Sequence, residues 1–266
     1  MLLAIDIGNT NVTMGVFEDD KLLATWRMAS DTYKLPDEYA ILIRNLLPLK
    51  GVSLDDVDSM ALCSVVPPLT TVFEELGEEY FKLHPLVVGA GIRTGVKILY
   101  DNPRDVGSDR VVDAVAAFKL YGGPVIVVDF GTATVFDAVS GDGEYIGGAI
   151  ASGINLTAQA LYEHTSQLRR VELVAPKAAI GRNTAASIQS GIVYGHVGMV
   201  EAMVDRFKKE LGGDTKIVAT GGMANLIQKE TDIFDYVNLD LTLVGLKIIY
   251  DVNNGGEMAH GGGDNG

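Results

Sequence analysis

The chain has 266 residues, 47% of them hydrophobic, so it can bury a sizeable core as one large domain or two compact ones. Lys and Arg number 21 against 35 Asp and Glu, which gives a formal net charge of -14 at pH 7. This charge opposes sequence-independent binding to nucleic acid phosphates or to an anionic membrane surface. We therefore expect no nucleic acid and no membrane among the partners, and a small molecule as the ligand.

The single cysteine, Cys63, lies in an apolar run, so no intramolecular disulfide can form and we expect a buried thiol. The N-terminus lacks the basic, apolar and small-residue regions of a secretory signal. No window comes near the roughly 18 uninterrupted apolar residues of a membrane span. These features predict a cytoplasmic protein.

Strand-like runs alternate with segments of helical periodicity, which indicates an α/β protein. The predicted strands of the first half are 1–7, 12–18, 21–28 and 58–66, and its predicted helices are 37–49, 67–83 and 109–123. The helix at 67–83 opens on two prolines, where a missing backbone N–H costs nothing. The helix at 109–123 is stopped by Gly122 and Gly123.

After residue 123 the pattern restarts, since residues 4–17 can be laid over residues 127–139 with Asp6 on Asp129 and Gly8 on Gly131. Further predicted elements are helices at 153–168, 184–211 and 241–252, a strand at 215–220 and a short helix after it. Chance matching of small residues is the alternative, but the shared order of elements favours an internal duplication. We expect domains at 1–121 and 122–252 and a disordered Gly-rich tail at 253–266.

Three glycine-containing turns each follow an apolar strand: DIGNT at 6–10, DFGTAT at 129–134 and ATGGMA at 219–224. Their small residues let backbone N–H groups approach a phosphate. If the two copies face each other about a pseudo-twofold axis, Asp6 and Asp129 meet in one crevice, where they would hold cations and so phosphates. The alternative is that the aspartates only cap their turns. Neither a Walker loop nor a GxGxxG fingerprint is present.

This arrangement resembles the superfamily of acetate and sugar kinases, heat-shock ATPases and actin. The resemblance implies two duplicated ribonuclease H-like domains, the actin-like ATPase fold, with ATP in a central cleft. DIGNT and DFGTAT match the two phosphate motifs of that superfamily, and TGGMA matches its adenosine motif.

Between the two halves lies YDNPRDVGSDR, residues 100–110, with an Asp–Arg pair at the start of a predicted helix. Free N–H groups there favour an anionic ligand, although Asp109 could instead cap the helix and pair with Arg110. Together with SVVPP at 64–68, GTAT at 131–134 and GRNTAASIQSG at 181–191, this stretch is similar to the type III pantothenate kinases.

The resemblance implies ATP-dependent phosphorylation of pantothenate to 4′-phosphopantothenate, the first step of coenzyme A biosynthesis, by a homodimer. It makes Asp109 the catalytic base and Asp129 the ligand of a monovalent cation, K⁺ or NH₄⁺, while Asp6 orients Mg²⁺ directly or through water. The implied ATP-binding residues are Asp6, Ile7, Gly8, Asn9, Thr10, Asn11, Val12, Thr13 and Thr132. The implied pantothenate-binding residues are Tyr100, Gly107, Ser108, Asp109, Arg110 and Thr184.

The sequence departs from the family pattern at three positions. Ser108 stands where alanine is common, Arg169 where proline is frequent, and Val135 where threonine is common. None of the three is an acidic residue, so the departures put substrate affinity in question rather than the reaction.

Two other functions stay open at this point. One is a kinase or phosphatase of the same superfamily that acts on a sugar, acetate or polyphosphate, and the other is a nucleotide-binding regulator without kinase activity. The four histidines show no metal-ligand spacing, so we expect them to be packing or surface residues.

Overall fold

The structure is a computed structural model that describes residues 1–165 and 168–254. Its chain divides into two compact units. The first combines residues 1–96 and 102–116 with the chain from residue 242 onward, and the second combines residues 97–101 with 117–241. Each unit contains one mixed sheet, which confirms the predicted α/β class.

The first unit holds a five-stranded sheet in the order β3-β2-β1-β4-β5. These strands are β1 (Leu2–Ile7), β2 (Asn11–Glu18), β3 (Lys21–Ala29), β4 (Ser59–Ser64) and β5 (Leu86–Val87). The first three form an antiparallel meander, and β4 and β5 extend the sheet in parallel with β1. The helices of this part of the chain are α1 (Pro36–Leu46), α2 (Pro67–Leu76) and α3 (Ser108–Tyr121).

Helices cover both faces of this first sheet because its central strand β1 is apolar on both sides. Leu3 and Ile5 of β1 pack in one cluster with side chains of α1 and α2. Leu2 and Ala4 pack in another cluster with α3 and with the C-terminal helix α7 (Leu241–Asn254). Asp6 has the same parity as Leu2 and Ala4, so it lies on the face that α3 and α7 cover.

The second unit holds a six-stranded sheet in the order β11-β10-β7-β8-β9-β6. Its strands are β6 (Lys97–Ile98), β7 (Val125–Phe130), β8 (Ala133–Val139), β9 (Glu144–Ser152), β10 (Lys216–Thr220) and β11 (Tyr236–Val237). Its helices are α4 (Ile154–Glu163), α5 (Thr184–Leu211) and α6 (Ala224–Gln228). Asn183 caps α5 by accepting a hydrogen bond from the Ala186 N–H at 2.9 Å.

The two sheets share one topology. In each sheet, three strands form an antiparallel meander, and two further strands extend the sheet in parallel from the first strand of that meander. The order is β3-β2-β1-β4-β5 in one unit and β9-β8-β7-β10-β11 in the other. This match supports the predicted internal duplication, and it places Asp6 and Asp129 at equivalent positions, each one residue before the end of its first strand.

Most predicted elements are present, with small shifts at their ends. The predicted helix at 37–49 ends as a tighter turn from residue 47, and the helix at 67–83 gives way to a wider turn from residue 77. The two-residue strands β5, β6 and β11 escaped the sequence analysis, because so short a run carries no periodicity.

The predicted domain boundary between residues 121 and 122 stays a prediction. It falls at the end of α3, while α7 groups with the first unit by contact. Helix α7 extends to Asn254, and residues 255–266 of the predicted tail lie outside the described residues.

Candidate functional site

The first part of the candidate site is the carboxyl end of β1, where Asp6 is half-buried. Sheet register places Asp6 directly beside Thr13 of β2 and Cys63 of β4. The Cys63 thiol is fully buried, as expected, and donates a hydrogen bond to Asp6 Oδ1 at 3.5 Å. Burial raises the pKa of that thiol well above its ordinary value, so Cys63 stays protonated and acts as a donor.

The turn after β1 closes through backbone bonds. The Gly8 N–H donates to the Asn11 carbonyl at 3.0 Å, and a Cβ at Gly8 would lie 3.2 Å from that same oxygen. Ser30, directly after β3, holds the turn, because its hydroxyl donates to the Gly8 carbonyl at 2.5 Å and its N–H donates to the Thr10 carbonyl at 3.0 Å. The sequence analysis missed Ser30, which carries no motif of its own.

The residues predicted to bind ATP differ in exposure. Asn9, Thr10 and Asn11 are exposed at the tip of the turn, whereas Ile7 and Val12 are fully buried in the core. Contacts from Ile7 and Val12 to a ligand would therefore involve their backbone only.

Asp109 lies in the first turn of α3, and Gly107 and Ser108 determine its position. Its Oδ1 accepts a hydrogen bond from the Arg110 N–H at 2.8 Å. A Cβ at Gly107 would lie 2.5 Å from that oxygen, so a larger residue there would force the carboxylate to move. The Ser108 hydroxyl donates to the Ser64 carbonyl at 3.0 Å and accepts from the Ser64 N–H at 3.1 Å. These bonds tie the start of α3 to the end of β4.

Asp6 and Asp109, both in the first unit, have raised pKa values. Burial raises the pKa of Asp6 from 3.8 to about 7, and the negative charge of Asp109 adds to the rise, while Cys63 and Arg27 oppose it. Burial also raises the pKa of Asp109, against the Arg110 backbone N–H and the Arg110 charge. Such raised values are typical of functional carboxylates.

In the second unit, Asp129 occupies the position equivalent to Asp6. Register places it beside Thr220 of β10 and Val135 of β8. A Cβ at Gly131 would lie 3.3 Å from Asp129 Oδ2, and one at Gly221, whose φ is +87°, would overlap Oδ1. The third glycine turn of the sequence therefore lies against the Asp129 carboxylate, a contact that the sequence analysis did not predict.

Hydrogen bonds hold the turn between β7 and β8 and the first residues of β8. The Gly153 N–H donates to the Thr132 carbonyl at 3.2 Å, while the Thr132 side chain is exposed. Thr134 is buried, and its Oγ1 is hydrogen-bonded to His196 Nε2 at 2.9 Å. Burial lowers the pKa of His196, so its imidazole is neutral. This histidine is a packing residue, as predicted.

The remaining predicted pantothenate residues lie apart along the chain. The Tyr100 ring lies 6.3 Å from the Tyr145 ring and next to Gly147, whose φ is +147°. Thr184 is exposed at the first position of α5. Arg110 is half-buried next to Asp109.

Two kinds of feature are absent from residues 1–165 and 168–254. No group of three or more His, Cys, Asp or Glu side chains there could hold a metal ion. No helix there has the length and apolar character that a membrane crossing requires.

Solved structures define the class of fold. One from Campylobacter jejuni, assigned to the Baf family of transcriptional activators, superposes with a TM-score of 0.60 at 19% identity, covering 95% of this chain and 99% of that one. A Sinorhizobium meliloti protein assigned as a 2-dehydro-3-deoxygalactonokinase gives 0.57 at 14% identity, covering 100% and 99%. The fold is that of the sugar kinases and actin-like ATPases, with duplicated ribonuclease H-like domains, as predicted.

The sequence comparisons define the family. The family model for type III pantothenate kinase matches residues 2–206. A type III pantothenate kinase of Dehalococcoides mccartyi is 53% identical over 252 residues, covering 95% of this chain and 96% of its own. One of Moorella thermoacetica is 50% identical over 253 residues, covering 95% and 100%. The chain belongs to the type III pantothenate kinase family, which confirms the resemblance noted in the sequence.

Proposed function

We propose that this chain transfers the terminal phosphoryl group of ATP to the primary hydroxyl of pantothenate. The product is 4′-phosphopantothenate, and the reaction is the first step of coenzyme A biosynthesis. The observation that carries the proposal is the position of the half-buried Asp109 in a chain of this family. Gly107 and Ser108 hold Asp109 close enough to Asp6 to raise the pKa of Asp6.

Asp109 is the general base in this proposal. Its carboxylate would accept the hydroxyl proton of pantothenate as the phosphoryl group is transferred, and its raised pKa improves it as an acceptor. Phosphoryl transfer has a loose transition state, so the other residues mainly position the reactants and neutralise charge. No covalent intermediate is required.

Asp6 and the first turn form the ATP site of the proposal. Mg²⁺ in phosphoryl-transfer sites is commonly held by one or two carboxylates together with water and the phosphates, and the single carboxylate of Asp6 fits this set. Bound Mg²⁺ would neutralise phosphate charge. Asp6 would orient it directly or through water, and the backbone from Gly8 to Thr10 together with Thr132 would contact the phosphates.

Asp129 is the proposed ligand of a monovalent cation, K⁺ or NH₄⁺. The carboxylate is half-buried and lies beside Thr220, Gly131 and Gly221. A carboxylate and neighbouring oxygens are a suitable donor set for such a hard cation. The ion would balance phosphate charge.

Pantothenate carries a carboxylate, and Arg110 is the proposed cation that receives it, with the hydroxyls of Tyr100 and Thr184 as further contacts. Ser108 would contribute through its backbone, since its hydroxyl already bonds both backbone groups of Ser64. The proposal includes a cytoplasmic homodimer that does not bind nucleic acid or a membrane.

ADP release by the purified protein with MgATP tests the proposal. We expect release that requires pantothenate, exceeds that with sugars or acetate, and is faster in potassium than in sodium buffer. Release that depends on a sugar or acetate would move the function to another kinase of this fold. ADP release without any acceptor would contradict the proposal. The absence of ADP release under all conditions would also contradict it and would favour a regulator.

A further inference from the structure

A row of four side chains crosses the first sheet at the level of Asp6. Register pairs Asp6 with Thr13, and Thr13 with Arg27 of β3, while Cys63 lies on the other side of Asp6. Residues directly opposite each other in neighbouring strands point to the same face. Arg27 therefore shares a face with Asp6. The backbones of the two residues are two strands apart, roughly 10 Å across the sheet.

Arg27 is exposed on β3. In the part of the chain that the structure describes, its guanidinium forms no hydrogen bond or ion pair. Its charge nevertheless acts on the Asp6 carboxylate, opposing the effects of burial and of Asp109 on the pKa of Asp6. The Arg27 guanidinium thus has five donors available on the face of the sheet that carries the carboxylates.

The duplication within the chain provides an internal comparison. The equivalent row of the second unit places Val135 beside Asp129 and Ile150 beside Val135. Ile150, at the position that matches Arg27, is 65% exposed. The meander therefore folds without a cation at this position, so packing of the repeated unit does not explain Arg27.

Asp109 lies on the opposite side of Asp6 from Arg27. Ser108 fastens the start of α3 to Ser64 at the end of β4, whereas Arg27 is on β3, beyond β2. Asp6 and its turn separate the two. A ligand bound by Arg27 therefore contacts the turn side of the site rather than the Asp109 side, where the proposed function puts the pantothenate hydroxyl.

We propose that Arg27 binds the phosphate chain of the nucleotide across Thr13, as a further substrate-contacting residue of the reaction. The inference rests on the proposed function for the identity of the nucleotide. A guanidinium forms paired, charge-assisted hydrogen bonds to phosphate oxygens. Such a cation suits a chain with a net charge of -14 and two carboxylates near this turn, which would otherwise repel a triphosphate.

Equilibrium binding of MgATP to the full chain, measured by calorimetry without pantothenate, tests the inference. We expect Arg27→Gln to weaken MgATP binding about tenfold to a hundredfold, the range for losing hydrogen bonds to a charged group. Arg27→Lys should recover part of the loss, because it keeps the charge but not the paired geometry. The matched control is Arg44→Gln, an exposed arginine of α1 on the other face of the sheet, which should bind MgATP as the wild type does.

Steady-state kinetics of the same variants supply the second readout. Arg27→Gln should raise the KM for ATP and leave the KM for pantothenate unchanged, with no change in melting temperature. Unchanged MgATP affinity would overturn the inference. A rise confined to the KM for pantothenate would also overturn it. So would a loss of MgATP affinity in Arg27→Gln that comes with a lower melting temperature and that Arg27→Lys does not relieve.

These results separate the inference from the proposed function. If the wild type binds MgATP and Arg27→Gln does not, the inference holds even when pantothenate is not phosphorylated. If pantothenate is phosphorylated and Arg27→Gln binds MgATP normally, the proposed function holds and the inference fails.

Discussion

Replacing Asp6 by asparagine should stabilise the fold while it removes activity. The folded protein holds the Asp6 carboxyl where burial and the Asp109 charge raise its pKa from 3.8 to about 7. Above pH 7 the carboxylate is charged in both the folded and the unfolded chain, and only the folded chain bears the cost of burying it. A difference of about 3 pKa units corresponds to at most about 4 kcal/mol.

The sign of the pH dependence follows from the raised pKa. As pH falls from about 7 towards 4, the folded chain takes up a proton at Asp6 before the unfolded chain does, so the cost of the buried charge fades. Asparagine carries no charge at any pH. The stability gain of Asp6→Asn should therefore be about 2 to 4 kcal/mol near pH 8 and close to zero near pH 4.

Urea unfolding at several pH values, without nucleotide and with a metal chelator, measures this difference. The matched control is Asp232→Asn at an exposed position, where we expect no change. A variant at position 6 that is no more stable than wild type near pH 8 would refute the reasoning. A gain that does not shrink towards pH 4 would refute it as well.

The other predictions concern Asp109, Gly107 and His196. Asp109→Asn should lower kcat by about 10²- to 10⁴-fold with MgATP affinity retained, and parallel loss of both would remove its role as base. Gly107→Ala places a Cβ 2.5 Å from Asp109 Oδ1, so kcat should fall at least about tenfold, while Gly89→Ala, which enters open space, should not change it. An unaltered kcat in Gly107→Ala would show that the carboxylate need not lie there. Because burial lowers the pKa of His196, the contribution of this residue to stability should shrink as pH falls below 6.5, and the advantage of wild type over His196→Gln in melting temperature should narrow over that range; a constant difference would contradict this.

Part of this site could be read from the sequence because its signals are local. Asp6 and Asp129 follow apolar strands and precede glycine turns, so their equivalence follows from the repeated order of elements, which the two matching sheets support. The Asp–Arg pair at 109–110 was predicted to open a helix, and α3 begins at Ser108.

The contacts that hold these residues in place could not be predicted, because they join positions far apart in the chain. Ser30 bonds the turn at Gly8, Ser108 bonds Ser64, and Gly221 lies against Asp129. The position of Arg27 relative to Asp6 could not be predicted for the same reason, since the two residues share a face only through the register of two strand pairs. A single sequence shows where strands lie but not how they are aligned.

The most direct test of the account is the identity of the phosphorylated product. Phosphorus NMR of a reaction with MgATP, pantothenate and potassium should show ADP and 4′-phosphopantothenate forming in equal amounts with the wild type, and neither at a comparable rate with Asp109→Asn. Free phosphate in place of 4′-phosphopantothenate, or equal rates for the two proteins, would contradict phosphoryl transfer to pantothenate with Asp109 as the base.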